Sequence, residues 1–420
     1  MTAMKAIILD GHLKSALATT RSLGKKGVQV TTAAERGTAM SLRSRYSAHR
    51  FVYPSPLTEP QAFVQAIISL AKKVGGMPVI YAFSDETFLL ISKNRKEIQK
   101  YATLLLSSEE SVDVAFDKKK TLALAKKLNI PQIESIQGLP LNSSVPIVQG
   151  LSLNNIFRAM SYPAVIKPQS SCVWKDGVGI KGTAEYVFTS DELYVRASAL
   201  YEKTGQYPLI QTFVKGAEYG IEMLCQKGKI VAQVAHKRIR SLSPTGGAAV
   251  VKKTICNTKI AYEMESVAQK IAKELSWEGV MMIEFKNDEK DNELKLMEIN
   301  GRFWGSLPLA IFAGVDFPYL FFKQACKKSD THNTIDITSV PIIKCQTNII
   351  SRHFWGDCHN LLIVLFAKNK MRKILFPKRV VAIFSFFALF TGQKYDVFSL
   401  EDPKPFFMEI IDIIRKKLWK

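Results

Sequence analysis

The chain opens with short apolar runs alternating with amphipathic stretches. Lys5 to Leu9 is an apolar run of strand length; Ser15 to Lys26 follows with helical character, and Gly27 ends it. Val28 to Thr32 reads as the next strand, and Phe51 to Tyr53 as a third, stopped by Pro54. From Gln61 to Val74, the apolar residues Phe63, Ile67, Leu70 and Val74 recur at helical spacing. Pro78 to Phe83 is again strand-like, and Ser84-Asp85-Glu86 has the composition of a helix start. Strands alternating with helices predict a small parallel sheet covered by helices.

The pattern then changes. Asp117 caps a predicted helix reaching about Leu128, with Pro131 beyond its end. Leu139 to Gly150 is rich in Pro, Ser and Asn and reads as a loop. From Tyr162 to Gly305 strand signals dominate, several joined by short turns, which predicts an antiparallel α+β unit. The segment from Ser351 to Lys420 is apolar yet carries 13 basic and 6 acidic side chains. Within it, Val380 to Gln393 is uncharged, but its 14 residues fall short of the roughly 20 that a membrane-spanning helix needs. The expected organisation is an α/β unit over 1–115, a central unit over 116–325 divided near 212, and a basic, mostly helical extension over 326–420.

Composition narrows the class. A chain of 420 residues is too long for one ordinary core, and 47% apolar with 23% charged residues is a globular balance. The net charge of +21 suits acidic ligands, nucleic acid or an anionic membrane surface, and it does not choose among them. No nucleic-acid recognition motif is present, which disfavours that partner. The six cysteines form no C-x-x-C pair, so the expectation is free thiols with neither a zinc site nor a disulfide framework. Without a signal-peptide pattern, this reads as a cytoplasmic protein.

Four motifs carry candidate chemistry. Val280 to Lys286 and Glu293 to Ile299 read as two strands around a polar turn, Asn287 to Asn292. Strand side chains alternate between faces, so Glu298, Asn300 and Arg302 point the same way. If the strands pair, Glu284 stands beside Glu298. Two carboxylates and an amide oxygen then form a set of hard donors suited to Mg²⁺, and Arg302 can grip a phosphate or carboxylate. A salt-bridged surface hairpin is the plain alternative. Second, Lys167 closes an apolar strand at Pro168 and precedes a loop with Gly177, Gly179 and Gly182, where small residues let backbone amides approach phosphates. The formal G-x-G-x-x-G there is not a dinucleotide motif, because it does not open the helix of a βαβ unit. Third, Gln211-Thr212-Phe213-Val214 runs into Gly216 and Glu218, a linker able to meet a flat base and ribose hydroxyls. Fourth, His236 to Arg240 with Pro244 to Gly247 suits an anionic substrate.

Taken in this order, the motifs resemble the ATP-grasp superfamily of carboxylate-amine and carboxylate-thiol ligases, relatives of biotin carboxylase and the carbamoyl-phosphate synthetase large chain. The resemblance covers about Lys5 to Phe317 and is sharpest at Glu298-Ile299-Asn300-Gly301-Arg302, Val165 to Pro168, and Asp117-Lys118. It implies an α/β domain followed by two α+β subdomains clasping ATP. It further implies that Lys118 and Lys167 contact phosphates under a lid bearing Gly177 and Gly179. Gln211, Phe213 and Val214 hold adenine, and Glu218 holds ribose. Glu284, Glu298 and Asn300 ligate Mg²⁺, with Mn²⁺ as the alternative cation. Arg302 steadies an acyl phosphate, and Arg238 or Arg240 binds the substrate carboxylate. The implied partners are a small carboxylate and an amine, and a homodimer is compatible. Gln211 stands where relatives often have Glu, and Trp174-Lys175 where they have smaller residues. A nucleotide-binding module without turnover is the rival reading. The extension after about Lys323 is either packed on the first unit or laid on an anionic membrane.

Overall fold

Residues 4–136, 147–148, 151–152, 160–329, 343, 345–388 and 392–418 are described by the computed structural model. Four short strands near the N-terminus pair in parallel: β1 (Lys5–Ile8), β2 (Gln29–Ala34), β3 (His49–Val52) and β4 (Val79–Tyr81), in the order β3-β2-β1-β4. Helices Lys14–Lys25 and Pro60–Val74 supply the crossovers. The Ser84 hydroxyl accepts from the Thr87 amide and caps helix Asp85–Lys93. The small parallel sheet expected from the alternation is present. Asp117 likewise caps helix Lys118–Lys127 by accepting from the Lys120 amide.

A second sheet has the order β11-β8-β12-β5, built from β5 (Ser135–Ile136), β8 (Ala164–Lys167), β11 (Glu185–Val187) and β12 (Leu209–Thr212). Helix Ser190–Thr204 packs Leu193 and Ala197 against it. At the end of the stretch read as a loop, β6 (Ile147–Val148) pairs with β7 (Leu151–Ser152), just beyond it, in a minimal hairpin; the rest of Leu139 to Gly150 lies outside the described residues. The glycine-bearing loop is itself a hairpin, β9 (Cys172–Lys175) with β10 (Val178–Lys181).

The third sheet has seven strands in the order β17-β16-β13-β14-β15-β18-β19. Five are long and antiparallel: β13 (Gly216–Gln226), β14 (Lys229–Ser243), β15 (Gly246–Thr254), β16 (Gly279–Asp288) and β17 (Leu294–Asn300). The last two, β18 (Ile350–Arg352) and β19 (Lys394–Tyr395), come from the C-terminal extension and pair in parallel with each other. The extension therefore adds strands to the main sheet as well as its helices Phe354–Phe366, Arg379–Ala388 and Lys404–Leu418.

Buried ion pairs fasten this extension. Lys252 meets Asp396, Arg352 meets Asp357 at 2.7 Å, and Arg240 meets Asp357 at 2.8 Å, with Lys252, Arg352 and Asp396 fully withdrawn from water. Asp402 receives Arg21 at 2.9 Å and the Ser44 hydroxyl at 2.6 Å, which ties the extension to the N-terminal unit. Packing on the first unit is thus observed, but full burial of the apolar runs is not: Phe366 is 75% and Phe384 72% exposed. No helix among the described residues is long and apolar enough to cross a membrane.

The free-thiol expectation is corrected for one pair. Cys256 and Cys345 are joined by a disulfide, their Cα atoms 6.3 Å apart. They are 89 residues apart in sequence, and the return of the chain beside β14 and β15 brings them together, which spacing alone does not reveal. Cys172, Cys225, Cys326 and Cys358 lie outside this disulfide.

Candidate functional site

The acidic hairpin forms as expected from strand parity. In the β16–β17 pair, Ile283 faces Ile299 and Glu284 faces Glu298, after which a bulge shifts the register. Ile283 and Ile299 turn into the core, so the flanking Glu284, Glu298 and Asn300 lie on the opposite face. The Asn300 amide donates to Glu298 at 3.4 Å. Like charges directly opposed across a sheet are destabilising. Burial pushes the Glu284 carboxyl up to about 7, and Glu298 and Glu218 add to this against the pull of Arg238.

Beside this pair runs a chain of alternating charges. Arg238 on β14 donates to Glu218 at 2.7 Å and to Glu284 at 3.3 Å, and Lys286 donates to Glu218 at 3.3 Å. Burial alone would raise the Glu218 carboxyl; Arg238 and Lys286 instead hold it below its ordinary value. Lys167 ends β8 facing the cleft, where burial lowers its pKa against the attraction of Glu298. Lys118 starts its helix 3.4 Å from the Ser171 hydroxyl. Gln211 is buried and donates to Ser135 at 2.9 Å. Arg302 pairs with Asp85 at 2.6 Å, and this pairing outweighs burial in keeping the Asp85 carboxyl low.

These groups converge on one cleft of about 400 Å³ between the β11-β8-β12-β5 sheet and the seven-stranded sheet. Lys118, Lys167, Gln211, Phe213, Val214 and Glu218 line it on the nucleotide side of the expected set. Arg238, Glu284, Glu298, Asn300 and Arg302 line the rest. Three expected residues are elsewhere. Arg240 is bound to Asp357 and Ser385 under the extension, because a bulge after Arg238 breaks the β14–β15 register and turns the two arginines apart. Of the two substrate-carboxylate candidates, only Arg238 reaches the cleft. Gly177 sits in the tight β9–β10 turn at φ 79°, away from the cleft lining. The Gly179 amide donates to the Leu57 carbonyl at 2.7 Å, which docks the hairpin on the N-terminal unit. Gly182 is the glycine of this segment that lines the cleft.

Several groups in or behind the cleft lining were missed or only partly read. Lys286 is two residues beyond Glu284, so strand parity alone puts it on the same face. Asp85 was read only as part of a helix start, and its pairing with Arg302 spans 217 residues. The cleft floor holds His236 and Ser306, with fully buried Glu222 behind them. Glu222 accepts from the Ser306 hydroxyl at 2.5 Å; burial pushes its carboxyl up to about 8 despite that bond. Burial, Arg238 and Lys252 push His236 down to about 3. The sequence marked His236 only as the start of a basic stretch, and nothing in it showed that His236 and Glu222 form a neutral floor.

The donor set fits a hard divalent cation. Two carboxylates and an amide oxygen on adjacent strands leave about half of an octahedron for water and phosphate oxygens, which is how Mg²⁺ is commonly held at nucleotide sites. Among the described residues, no three His, Cys, Asp or Glu gather into a closed metal cage.

A family model described as ATP-grasp in the biosynthetic pathway with Ter operon matches residues 206–346. In structure, the chain is similar to the biotin carboxylase domain of Hydrogenobacter thermophilus 2-oxoglutarate carboxylase, solved with MgADP, ADP and bicarbonate. That match has a TM-score of 0.60 and 15% identity and covers 83% of this chain and 74% of that one. L-amino acid ligase from Bacillus licheniformis matches with a TM-score of 0.55 and 16% identity over 77% of this chain and 74% of that one. N5-carboxyaminoimidazole synthetase from Staphylococcus aureus matches with a TM-score of 0.55 and 14% identity over 77% of each chain. No curated protein matches in sequence.

Proposed function

We propose that this chain, which has the ATP-grasp fold, is an ATP-dependent ligase that activates a carboxylate as an acyl phosphate for attack by an amine. The observation that carries the reading is the register of β16 on β17, which sets Glu284 against Glu298 in a cleft that Lys167 faces from the other sheet. Glu284, Glu298 and Asn300 would hold Mg²⁺, which when bound neutralises phosphate charge; Mn²⁺ would satisfy the same donors.

In this reading Lys118 and Lys167 grip the ATP phosphates. Gln211 to Val214 face adenine, and Glu218 takes the ribose hydroxyls. Arg238 orients the substrate carboxylate, one oxygen of which attacks the γ-phosphorus as the bond to the ADP oxygen breaks. Arg302 steadies the resulting acyl phosphate. The amine then adds to its carbonyl carbon, loses a proton, and expels phosphate. Arg238 and Arg302 are paired with Glu218, Glu284 and Asp85, so ligand binding exchanges one set of anions for another. No enzyme nucleophile is needed; positioning and electrostatic stabilisation supply the rate.

The test is ADP release over a matrix of carboxylates and amines, with Glu298→Ala as the blank. Stimulated release that vanishes in a folded variant is expected. Unaltered turnover in Glu298→Ala would sink the assignment. ATP binding with no stimulation by any acid–amine pair would instead indicate a nucleotide-binding module without turnover.

A further inference from the structure

The C-terminal extension has a surface that the cleft does not explain. Helix Arg379–Ala388 buries Ala382 and Phe386, and the Arg352 guanidinium lies 4.2 Å from the Phe386 ring. The opposite side of a helix seated in this way is normally polar. Here it carries Val380 at 62%, Val381 at 54%, Phe384 at 72% and Phe387 at 60% exposure. The helix packs against Phe354–Phe366, which in turn buries Gly356, Asp357, Asn360 and Val364. One helical turn apart on its outer face, Leu362 is 53% and Phe366 75% exposed. Two neighbouring helices thus turn large apolar side chains to solvent. A cluster of this kind marks an interaction surface.

Charge identifies the partner. Between Asp357 and Asp396 the sequence has no acidic residue and seven Lys and Arg. Lys368, Lys373, Lys378 and Arg379 are exposed around the apolar residues. Bringing a second copy onto this surface would set two such clusters of cations against each other. A nucleic acid would meet the charges and stack on Phe384 and Phe387, yet Val380, Val381, Ile383 and Leu362 offer a base no stacking surface. Apolar side chains ringed by cations match one chemistry throughout, an anionic lipid headgroup layer with acyl chains beneath it. The ten described residues of helix Arg379–Ala388 are too few to span a bilayer and suit lying flat in the interface.

We propose that the extension docks the protein on an anionic membrane surface, with helix Arg379–Ala388 inserted at the level of the headgroups and the exposed Lys and Arg on the lipid phosphates. This inference is independent of the reaction in the cleft.

The test is co-sedimentation of the full chain with vesicles of phosphatidylcholine alone or mixed with phosphatidylglycerol. Binding is expected only to the mixed vesicles and should weaken at high salt. The double variant Phe384→Ser/Phe387→Ser is expected to bind at least about tenfold more weakly. Lys378→Glu/Arg379→Glu, which alters only exposed positions, should lose binding as well while keeping the melting temperature. Absence of vesicle binding, or equal binding to both vesicle types, would overturn the proposal. So would a dimer in sedimentation equilibrium that the Phe variants dissociate, or salt-sensitive DNA binding by a chain that ignores vesicles.

Discussion

Replacing Glu284 by Gln separates the cost of the acid pair from its use. The carboxyl rises from an ordinary 4.5 to about 7, chiefly through burial and with Glu298 opposite. A shift of that size corresponds to roughly 3 kcal/mol of disfavoured charge at pH 8. The side chain keeps 17% exposure, and Arg238 retains Glu218 as a partner, so a realistic gain for Glu284→Gln is about 1–2 kcal/mol. In a chain of this size that means a melting temperature higher by about 1–3 °C in metal-free buffer at pH 8. The sign with pH follows from the raised value. A carboxyl that is harder to ionise when folded costs nothing below its unfolded pKa, and its cost grows up to about pH 7, so the advantage of Gln should shrink between pH 8 and pH 5. Added magnesium-ATP should raise the melting temperature of the native chain and leave the variant nearly unmoved. Differential scanning fluorimetry at the two pH values, with and without magnesium-ATP, reads all of this. A variant that melts at or below the native temperature at pH 8, or that responds equally to magnesium-ATP, would refute the reasoning.

Three further outcomes are expected. Arg240→Ala should lower stability by about 3 kcal/mol in urea unfolding, because it strips a partner from buried Asp357, while leaving ATP affinity within about twofold; selective loss of carboxylate stimulation would return Arg240 to the site. Asp396→Asn should cost about 3–5 kcal/mol, since Lys14 at 2.9 Å and fully buried Lys252 both lose their counter-charge; an unchanged unfolding midpoint would contradict the buried network. Thiol titration of the unfolded, unreduced chain should find the four cysteines outside the disulfide, and reduction should add the Cys256–Cys345 pair; full reactivity without reductant would remove the disulfide.

Much of the site was legible because it depends on local rules. Strand parity set Glu298, Asn300 and Arg302 on one side, but the register leaving the polar turn would pair Glu284 with Met297, and it is the bulge between Phe285 and Glu284 that brings Glu284 opposite Glu298. The same parity extended to Lys286 would have found the partner of Glu218. The rule failed at Ile239 for a physical reason. A bulge adds a residue on one strand, so Arg238 and Arg240 no longer share a face although their spacing says they should. The glycines misled differently. Gly177 and Gly179 have the flexibility of a phosphate loop, yet the chain spends it on a tight hairpin turn and on backing against Leu57.

Periodicity, turn chemistry and the order of motifs are properties of neighbouring residues, and they alone specified the parallel N-terminal sheet, the antiparallel hairpins and the polar strand face that carries Glu298. What joins distant segments belonged to the tertiary structure. Arg302 with Asp85, Cys256 with Cys345, the neutral floor at Glu222 and His236, and the two strands that the extension lends to the main sheet all depend on the closed chain. A strand of two or three residues carries too little pattern to be read, and a buried charge is tolerated only where folding delivers its partner.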